Sequence, residues 1–195
     1  MFDRLFRWCL KLAVPAGARD DLLGMLAPGG TGVEIGVWRG EFSQRILELA
    51  KPQELHLVDP WIFAPQFPRR MYGGKKAKSQ ADMDCIAQLV RHRFDGDSRV
   101  QIHRCTSREF FRSQSDRQFD WVYLDGDHSE DTVYQDLKDA WTQVKPGGVI
   151  CGDDYLWLDE HRCLSVRRAV NRFIREVGVP LERIGTQYAL RKPTA

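Results

Sequence analysis

Four carboxylates stand directly behind two apolar runs in the second half of the chain. They are Asp125 and Asp127 behind the run 121–124, and Asp153 and Asp154 behind the run 149–151. Each run has the length and character of a buried strand. Helical spacing of the apolar residues between the runs predicts a crossover helix, so the two strands are parallel and end at one edge of a sheet. The four carboxylates are therefore expected to converge where ligands bind in open α/β folds.

A cluster of four negative charges needs compensation, because unpaired carboxylates at one point repel one another. Either a bound cation or raised pKa values of the carboxyl groups would meet that need. Oxygen ligands of this type suit Mg²⁺ or Ca²⁺ better than zinc. The alternative is that acidic residues behind strands act as turn formers and helix caps. That alternative fits Asp127 and Ser129, which precede the helical run. It fits Asp153 and Asp154 less well, because they place two like charges side by side.

A glycine turn lies in the sequence Val-Glu-Ile-Gly-Val-Trp-Arg-Gly-Glu-Phe-Ser. Residues 32–37 have the pattern of a buried strand, and the apolar residues from Phe42 onward predict a helix behind it. Gly36 and Gly40 allow the backbone to approach a ligand, and the helix N-terminus offers free N–H groups. The spacing is G-x-x-x-G, which differs from the G-x-G-x-x-G of dinucleotide sites. Glu34 within the strand would repel a pyrophosphate and attract an ammonium group.

An acidic residue, Asp59, closes the second predicted strand, 55–58. In a fold of this type such a carboxylate can accept hydrogen bonds from both hydroxyl groups of a ribose. The alternative is a simple turn, because Pro60 follows directly. The spacing from the glycine turn favours the ribose interpretation.

The bulk composition is that of a globular protein of 195 residues, with 43% hydrophobic and 29% charged residues. This length predicts one domain with a full core. The formal net charge of +2 gives no argument for a nucleic-acid partner. No apolar run approaches the ~20 residues of a membrane span. Charges interrupt the apolar residues at the N-terminus, which is unlike a signal peptide.

The cysteines are widely spaced and lack a CxxC pair. The five positions are Cys9, Cys85, Cys105, Cys151 and Cys163. Their odd number and their spacing argue against a disulfide framework and a zinc site, and favour a reducing compartment. The cytoplasm is therefore the predicted location.

The N-terminal segment Phe2 to Val14 is a predicted amphipathic helix with basic residues beside its apolar stripe. Such a helix can lie on a membrane surface. Docking on its own domain or on a partner subunit is the more usual role of such a helix. The second of these roles would make the protein a homo-oligomer. A second short helix is predicted at 19–26.

The segment 62–80 interrupts the alternation of strands and helices, and it carries a run of basic residues. These are Arg69, Arg70, Lys75, Lys76 and Lys78. Long loops in compact domains are often lids or disordered segments. The basic run can meet an anionic acceptor or simply be solvated. The remaining predicted elements are helices at 81–94 and 166–177, a strand at 100–103, and a final hairpin at 181–190.

Three motifs carry a resemblance to a known family: the glycine-turn sequence, Leu-Val-Asp-Pro-Trp and Tyr-Leu-Asp-Gly-Asp-His. The chain resembles class I S-adenosylmethionine-dependent methyltransferases. Within that class it is similar to the small metal-dependent O-methyltransferases that modify antibiotic sugars, the macrocin O-methyltransferase-like and cephalosporin-hydroxylase-like proteins. The resemblance covers about Thr31 to Tyr155. It implies a Rossmann-like α/β fold, with a seven-stranded, mostly parallel sheet, one antiparallel strand and helices on both faces. The N-terminal helices and residues 62–95 are not covered by it. The whole of residues 1–195 is expected to form a single domain, with N-terminal helices in 1–30, the cofactor and metal core in 31–155 and a lid loop in 62–80.

The resemblance further implies roles for individual residues. Glu34, Gly36 and Gly40 would hold the methionine end of the cofactor, Asp59 would hold its ribose, and Trp61 would be a further cofactor-binding residue. The other implied cofactor-binding residues are Ser43 at the methionine carboxylate, Thr106 and Ser107 at the adenine, and Asp125. The implied metal ligands are Asp125, Asp153 and Asp154. The candidate bases are Asp127 and His128.

Two positions depart from the pattern that the resemblance implies. Phe42 stands where many relatives have a serine that helps to bind the methionine carboxylate, which leaves that role to Ser43. Cys105 stands where a glycine is common before the adenine-binding residues.

The implied activity is methylation of a hydroxyl group on a sugar or another small diol-containing metabolite, with S-adenosylmethionine and Mg²⁺. The sulfonium makes the methyl group electrophilic, so the acceptor oxygen must be placed in line and must lose its proton. A divalent cation chelated by two hydroxyl groups would lower their pKa. His128 or Asp127 would take the proton. The alternative is a non-catalytic cofactor-binding subunit that stabilises or regulates a partner protein.

Overall fold

The computed structural model describes residues 17–159 and 161–194, in which helices and strands alternate. The predicted helix from Phe2 to Val14 lies outside these residues. In chain order the elements are α1 (Ala18–Leu23), β1 (Thr31–Ile35), α2 (Glu41–Leu49), β2 (Glu54–Val58), α3 (Gln80–Arg93), β3 (Val100–His103), α4 (Ser107–Ser113), β4 (Phe119–Leu124), α5 (Glu130–Gln143), β5 (Val144–Gly152), α6 (Ser165–Val177), β6 (Glu182–Ile184) and β7 (Gln187–Arg191).

The strands form one seven-stranded sheet in the order β3-β2-β1-β4-β5-β7-β6. The first five strands of the chain pair in parallel, whereas β7 is antiparallel to both β5 and β6. The predicted fold class, with its single antiparallel strand, is therefore confirmed. The strand order reverses between β1 and β4, so their carboxyl ends form the crevice in which open α/β sheets bind ligands.

The core lies on both faces of this sheet. On one face, Val33 and Val122 pack with the apolar sides of α4, α5 and α6. On the other face, Leu57 and Tyr123 pack with α1, α2 and α3. Parallel strands that are covered on both sides lack a polar face, which explains why the central strands read as continuous apolar runs.

The bounds of several strands differ from the sequence-based prediction, and those of β1 and β5 differ most. β1 ends at Ile35, because Gly36 has a φ of 92° and leaves the strand. β5 begins at Val144, so it includes the Lys-Pro-Gly-Gly segment ahead of the predicted run 149–151. A register irregularity between Phe119 and Trp121 allows this segment to remain beside β4.

The predicted long loop over residues 62–80 contains only a one-turn 3₁₀ helix, Met71–Gly73, before α3 begins. The predicted final hairpin is confirmed, with Gly185 at a φ of 60° in its turn. Within the described part of the chain, none of the helices combines the length and apolarity that crossing a membrane would require.

Candidate active site

Glu34 is a buried acid at the carboxyl end of β1, with only 1% of its surface exposed. Ser43 Oγ, on the first turn of α2, donates a hydrogen bond to Glu34 Oε2 at 2.5 Å. Burial raises the pKa of Glu34 to about 8, while the Ser43 hydrogen bond and the charge of Arg19 act in the opposite direction. A cationic ligand would stabilise the ionised form of such a carboxyl group. The hydroxyl of Ser43 is thus committed to Glu34 in this structure.

The turn behind β1 is pressed against the end of β4. A Cβ atom on Gly36 would lie 2.1 Å from the carbonyl oxygen of Asp125. The backbone holds this approach, because Asp125 N donates to Ile35 O at 2.8 Å and Gly36 N donates to Val58 O at 2.9 Å. Only glycine combines the positive φ with this close contact. The predicted cofactor turn and the carboxylate cluster are therefore adjacent.

Asp59 is held rigidly at the end of β2. Its two oxygens accept hydrogen bonds from Trp38 N at 2.9 Å and from Trp61 N at 2.7 Å. Burial raises the pKa of Asp59, and these backbone hydrogen bonds partly oppose the rise. The indole of Trp61 packs in the core and donates to Trp38 O at 2.8 Å, so Trp61 contributes its backbone N–H to this site.

Thr106 and Ser107 begin α4, directly behind β3. Thr106 forms a capping box with Glu109. Ser107 Oγ donates to the buried carboxylate of Asp136 at 2.6 Å. Both residues lie at the carboxyl edge of the sheet, and in this structure their hydroxyl groups are engaged within the protein. Their contact with adenine stays a prediction.

Three of the groups behind β4 and β5 come together as candidate metal ligands. Oxygens of Asp125 and Asp154 and a ring nitrogen of His128 lie within 4.8 Å of one another. His128 Nε2 is hydrogen-bonded to Asp154 and lies 3.8 Å from Asp125 Oδ1. Burial raises the pKa of Asp125 to about 7, the charge of Arg19 opposes the rise, and that of Asp153 adds to it. Of the four carboxylates predicted to converge, Asp125 and Asp154 thus lie together with His128, whereas Asp127 lies outside this group.

Asp153 is turned toward a residue that the sequence analysis did not single out. Arg19 Nε donates to Asp153 Oδ2 at 2.7 Å, and Arg19 Nη2 donates to Asp125 Oδ2 at 2.9 Å. Burial alone would raise the pKa of Asp153, but the guanidinium and the hydrogen bonds from Asp154 N and Thr186 hold it below its usual value. Whether Asp153 also binds a metal stays a prediction.

Asp127 forms a local turn ahead of α5 in this structure. Its Oδ1 accepts a hydrogen bond from Ser129 N at 2.6 Å, and the residue is exposed. This contact agrees with the turn-former interpretation of this one carboxylate. It leaves His128 as the more enclosed of the two candidate bases.

His128 lies between Asp154 and the indole ring of Trp157. The ring of Trp157 is 5.0 Å from the imidazole, and the guanidinium of Arg70 lies 4.1 Å from the Trp157 ring centre. Burial lowers the pKa of His128, but the hydrogen bond to Asp154 and the charges of Asp154 and Asp125 outweigh it, so the pKa is raised. His128 Nδ1 is buried and has no hydrogen-bond partner among the described residues.

A small cleft, partly open to solvent, adjoins this cluster. Polar groups line it, including Asp125, Asp127 and His128. Apolar residues also line it, among them Val133 and Val166. Tyr155, by contrast, is buried, and its hydroxyl donates to Asn171 at 2.8 Å, so it packs rather than lining the cleft.

Several solved structures share this fold at low sequence identity. The O-methyltransferase NovP is 17% identical, with 90% of this chain and 80% of that chain covered and a TM-score of 0.60. An O-methyltransferase from Bacillus cereus in complex with SAH is 14% identical, with coverage of 98% and 88% and a TM-score of 0.63. The O-methyltransferase TomG from Streptomyces achromogenes, in complex with SAM, is 15% identical, with coverage of 97% and 86% and a TM-score of 0.55.

The sequence itself has a more specific match. No curated protein matches the chain significantly. The profile of a family described as a methyltransferase domain, however, matches residues 33–155, from β1 to the residue behind the carboxylate pair of β5. Since this match covers more than half of the 195 residues, the chain belongs to the methyltransferase domain family.

Proposed function

We propose that this protein is an S-adenosylmethionine-dependent O-methyltransferase that requires Mg²⁺ and acts on a hydroxyl group of a sugar or another small diol-containing metabolite. The observation that carries the proposal is the contact of Gly36 with Asp125, which joins the glycine turn to the carboxylate cluster at one sheet edge. NovP, TomG and the Bacillus cereus protein, which share the fold, are O-methyltransferases.

The cofactor would bind across the carboxyl ends of β1 and β2. Glu34 would receive the ammonium group, because burial disfavours its ionisation until a cation is present. Asp59 would accept the ribose hydroxyl groups, because its oxygens are held in place by backbone N–H donors and can accept further hydrogen bonds. When bound, S-adenosylmethionine supplies an electrophilic methyl group.

The metal would lie between the ends of β4 and β5. The donor set fits a divalent cation, because carboxylate oxygens of Asp125 and Asp154 lie within 4.8 Å of each other at this edge of the sheet. Asp153 would join the set once its contact with Arg19 is released. A bound divalent cation would lower the pKa of an acceptor hydroxyl group and orient it.

His128 is the candidate that would remove the acceptor proton. Its hydrogen bond to Asp154 fixes the ring, and Trp157 walls the ring on another side. Asp127 is the weaker candidate, because it is exposed and its carboxylate is engaged in the turn ahead of α5. A histidine oriented by a carboxylate is a common arrangement for proton transfer near neutral pH.

We expect calorimetry to detect binding of S-adenosylhomocysteine, and the substitution Asp59→Ala to weaken it. The loss of a buried acceptor should cost roughly 1–3 kcal/mol, because the ribose hydroxyl groups are left unpaired. Asp97→Ala is a matched control, since Asp97 bonds to Arg99 before β3. Tight binding of NAD without binding of S-adenosylhomocysteine would reject the proposed cofactor.

Methyl transfer itself is tested by screening vicinal diols with methyl-labelled S-adenosylmethionine. Transfer of label to an oxygen supports the proposed reaction. Binding of the cofactor without transfer to any diol, together with a stable complex with another protein, would instead indicate a non-catalytic subunit.

The acceptor is expected to carry a phosphate or a carboxylate, because Arg70 from the loop 62–80 reaches the active site. The Arg70 guanidinium lies on Trp157, next to His128, and Arg70 Nε is buried without a hydrogen-bond partner among the described residues. The neighbouring Arg69 is exposed. One basic residue of the loop is thus directed toward the site, while its neighbour provides an internal comparison.

The substitution Arg70→Gln should lower kcat/KM for an anionic diol about tenfold, because it removes one charge-assisted contact. The rate with a neutral diol should change little. Arg69→Gln, with the same loss of charge, should change both rates less than about twofold. The measurement compares both acceptors at low and high salt. Equal losses from the two substitutions, or equal losses for both acceptors, would contradict an acceptor contact by Arg70.

A further inference from the structure

Arg19 places a positive charge between the ends of β4 and β5. Its Nε and Nη2 atoms both donate to Asp153 Oδ2, and Nη2 also donates to Asp125 Oδ2. The guanidinium also lies 4.9 Å from the centre of the Phe42 ring. The two carboxylates are therefore already neutralised in part by a side chain of the protein.

This arrangement leaves little room for a metal ion on Asp153. Asp153 Oδ2 is taken by Arg19, and Asp153 Oδ1 accepts hydrogen bonds from Asp154 N at 2.7 Å and Thr186 Oγ1 at 2.8 Å. A divalent cation needs free carboxylate oxygens, and it would be repelled by a guanidinium at hydrogen-bond distance from the same atoms. Coordination by Asp153 therefore requires Arg19 to leave.

The helix that carries Arg19 is docked on the sheet, but the side chain itself is near the surface. Leu22 and Leu23 of α1 are buried in the core, and Asp20 pairs with Arg45 of α2 at 2.7 Å. These contacts direct Arg19 toward the site. The Arg19 side chain is nonetheless 29% exposed, so it can turn toward solvent without unfolding α1.

We infer that Arg19 is a built-in counter-cation that competes with a divalent metal ion for the carboxylates of Asp125 and Asp153. Metal binding displaces the guanidinium toward solvent, while α1 stays docked through the buried Leu22 and Leu23. The inference rests on the metal site of the proposed function. It adds to that site a residue that sets the metal affinity of the protein.

The test measures Mn²⁺ binding to the full chain in the absence of acceptor. The electron paramagnetic resonance signal of free Mn²⁺ reports how much of the ion stays unbound. Arg19→Met should bind Mn²⁺ at least tenfold more tightly than the unchanged protein, because the competing charge is gone while the carboxylates remain. Arg99→Met is the control: it removes one positive charge from the pair with Asp97 and should leave the affinity unchanged.

Equal Mn²⁺ affinity in Arg19→Met and the unchanged protein would overturn the competition and leave the metal site standing. Binding of Mn²⁺ by neither protein would overturn both the competition and the proposed metal site. Should Arg19→Met fail to fold, Arg19→Gln decides, since glutamine removes the charge but keeps a polar side chain that can donate a hydrogen bond. A gain of about tenfold in Mn²⁺ affinity supports the competition, and an unchanged affinity overturns it.

Discussion

Treatment with a chelator should abolish methyl transfer, and added Mg²⁺ should restore it. With saturating Mg²⁺, the substitution Asp125→Asn should lower kcat/KM about 10³-fold, equivalent to roughly 4 kcal/mol of transition-state stabilisation. Asp125 is chosen because it belongs both to the ligand set predicted from the sequence and to the cluster with His128 and Asp154. Asparagine keeps the shape of the side chain and removes the charge on which cation binding depends. The measurement is the initial rate of label transfer.

Two controls separate the loss of the metal from other effects of this substitution. Asp131→Asn makes the same chemical change at an exposed position on the first turn of α5, and it should retain nearly full activity. Calorimetry with S-adenosylhomocysteine shows whether Asp125→Asn still binds the cofactor. Full activity in the presence of chelator would reject metal dependence, and the carboxylates would then be caps or proton acceptors.

Gly36→Ala should lower the free energy of unfolding by about 3 kcal/mol or more, and Tm by about 6–12 °C. The φ of 92° strains any L-residue with a side chain, and the new Cβ would lie 2.1 Å from the carbonyl oxygen of Asp125. Because that oxygen belongs to the backbone, relief requires β1 and β4 to move apart. Thermal unfolding measures the first effect. Calorimetry should show that cofactor binding is lost as well.

The matched comparison for this prediction is Gly178→Ala. Gly178 also has a positive φ, 70°, but a Cβ there would meet nothing within 4 Å. The substitution Gly178→Ala should therefore introduce only the strain of a left-handed backbone conformation. It should lower the free energy of unfolding by about 1 kcal/mol and Tm by about 2–4 °C. Similar losses for the two substitutions would mean that the contact of Gly36 with Asp125 is not the decisive constraint.

The sequence determined those features that depend on local patterns and on chain topology. Apolar runs and helical spacing predicted the alternation of strands and helices, and the late hairpin followed from two short strands around Gly185. The parallel crossover between β4 and β5 placed Asp125 beside Asp154, because parallel strands joined by a helix end at the same edge. The family followed from motifs of the same kind, since each is a short continuous segment.

Only the tertiary structure decided which partner each polar group takes. Arg19 lies 106 residues from Asp125 and 134 from Asp153 along the chain, and no local pattern relates them. The bond from Ser43 to Glu34 likewise depends on how α2 docks on β1. Hydrogen bonds and ion pairs form over about 3 Å, so they depend on the packing of complete elements. Residue type and spacing therefore predicted where charges gather, and packing determined how they are neutralised.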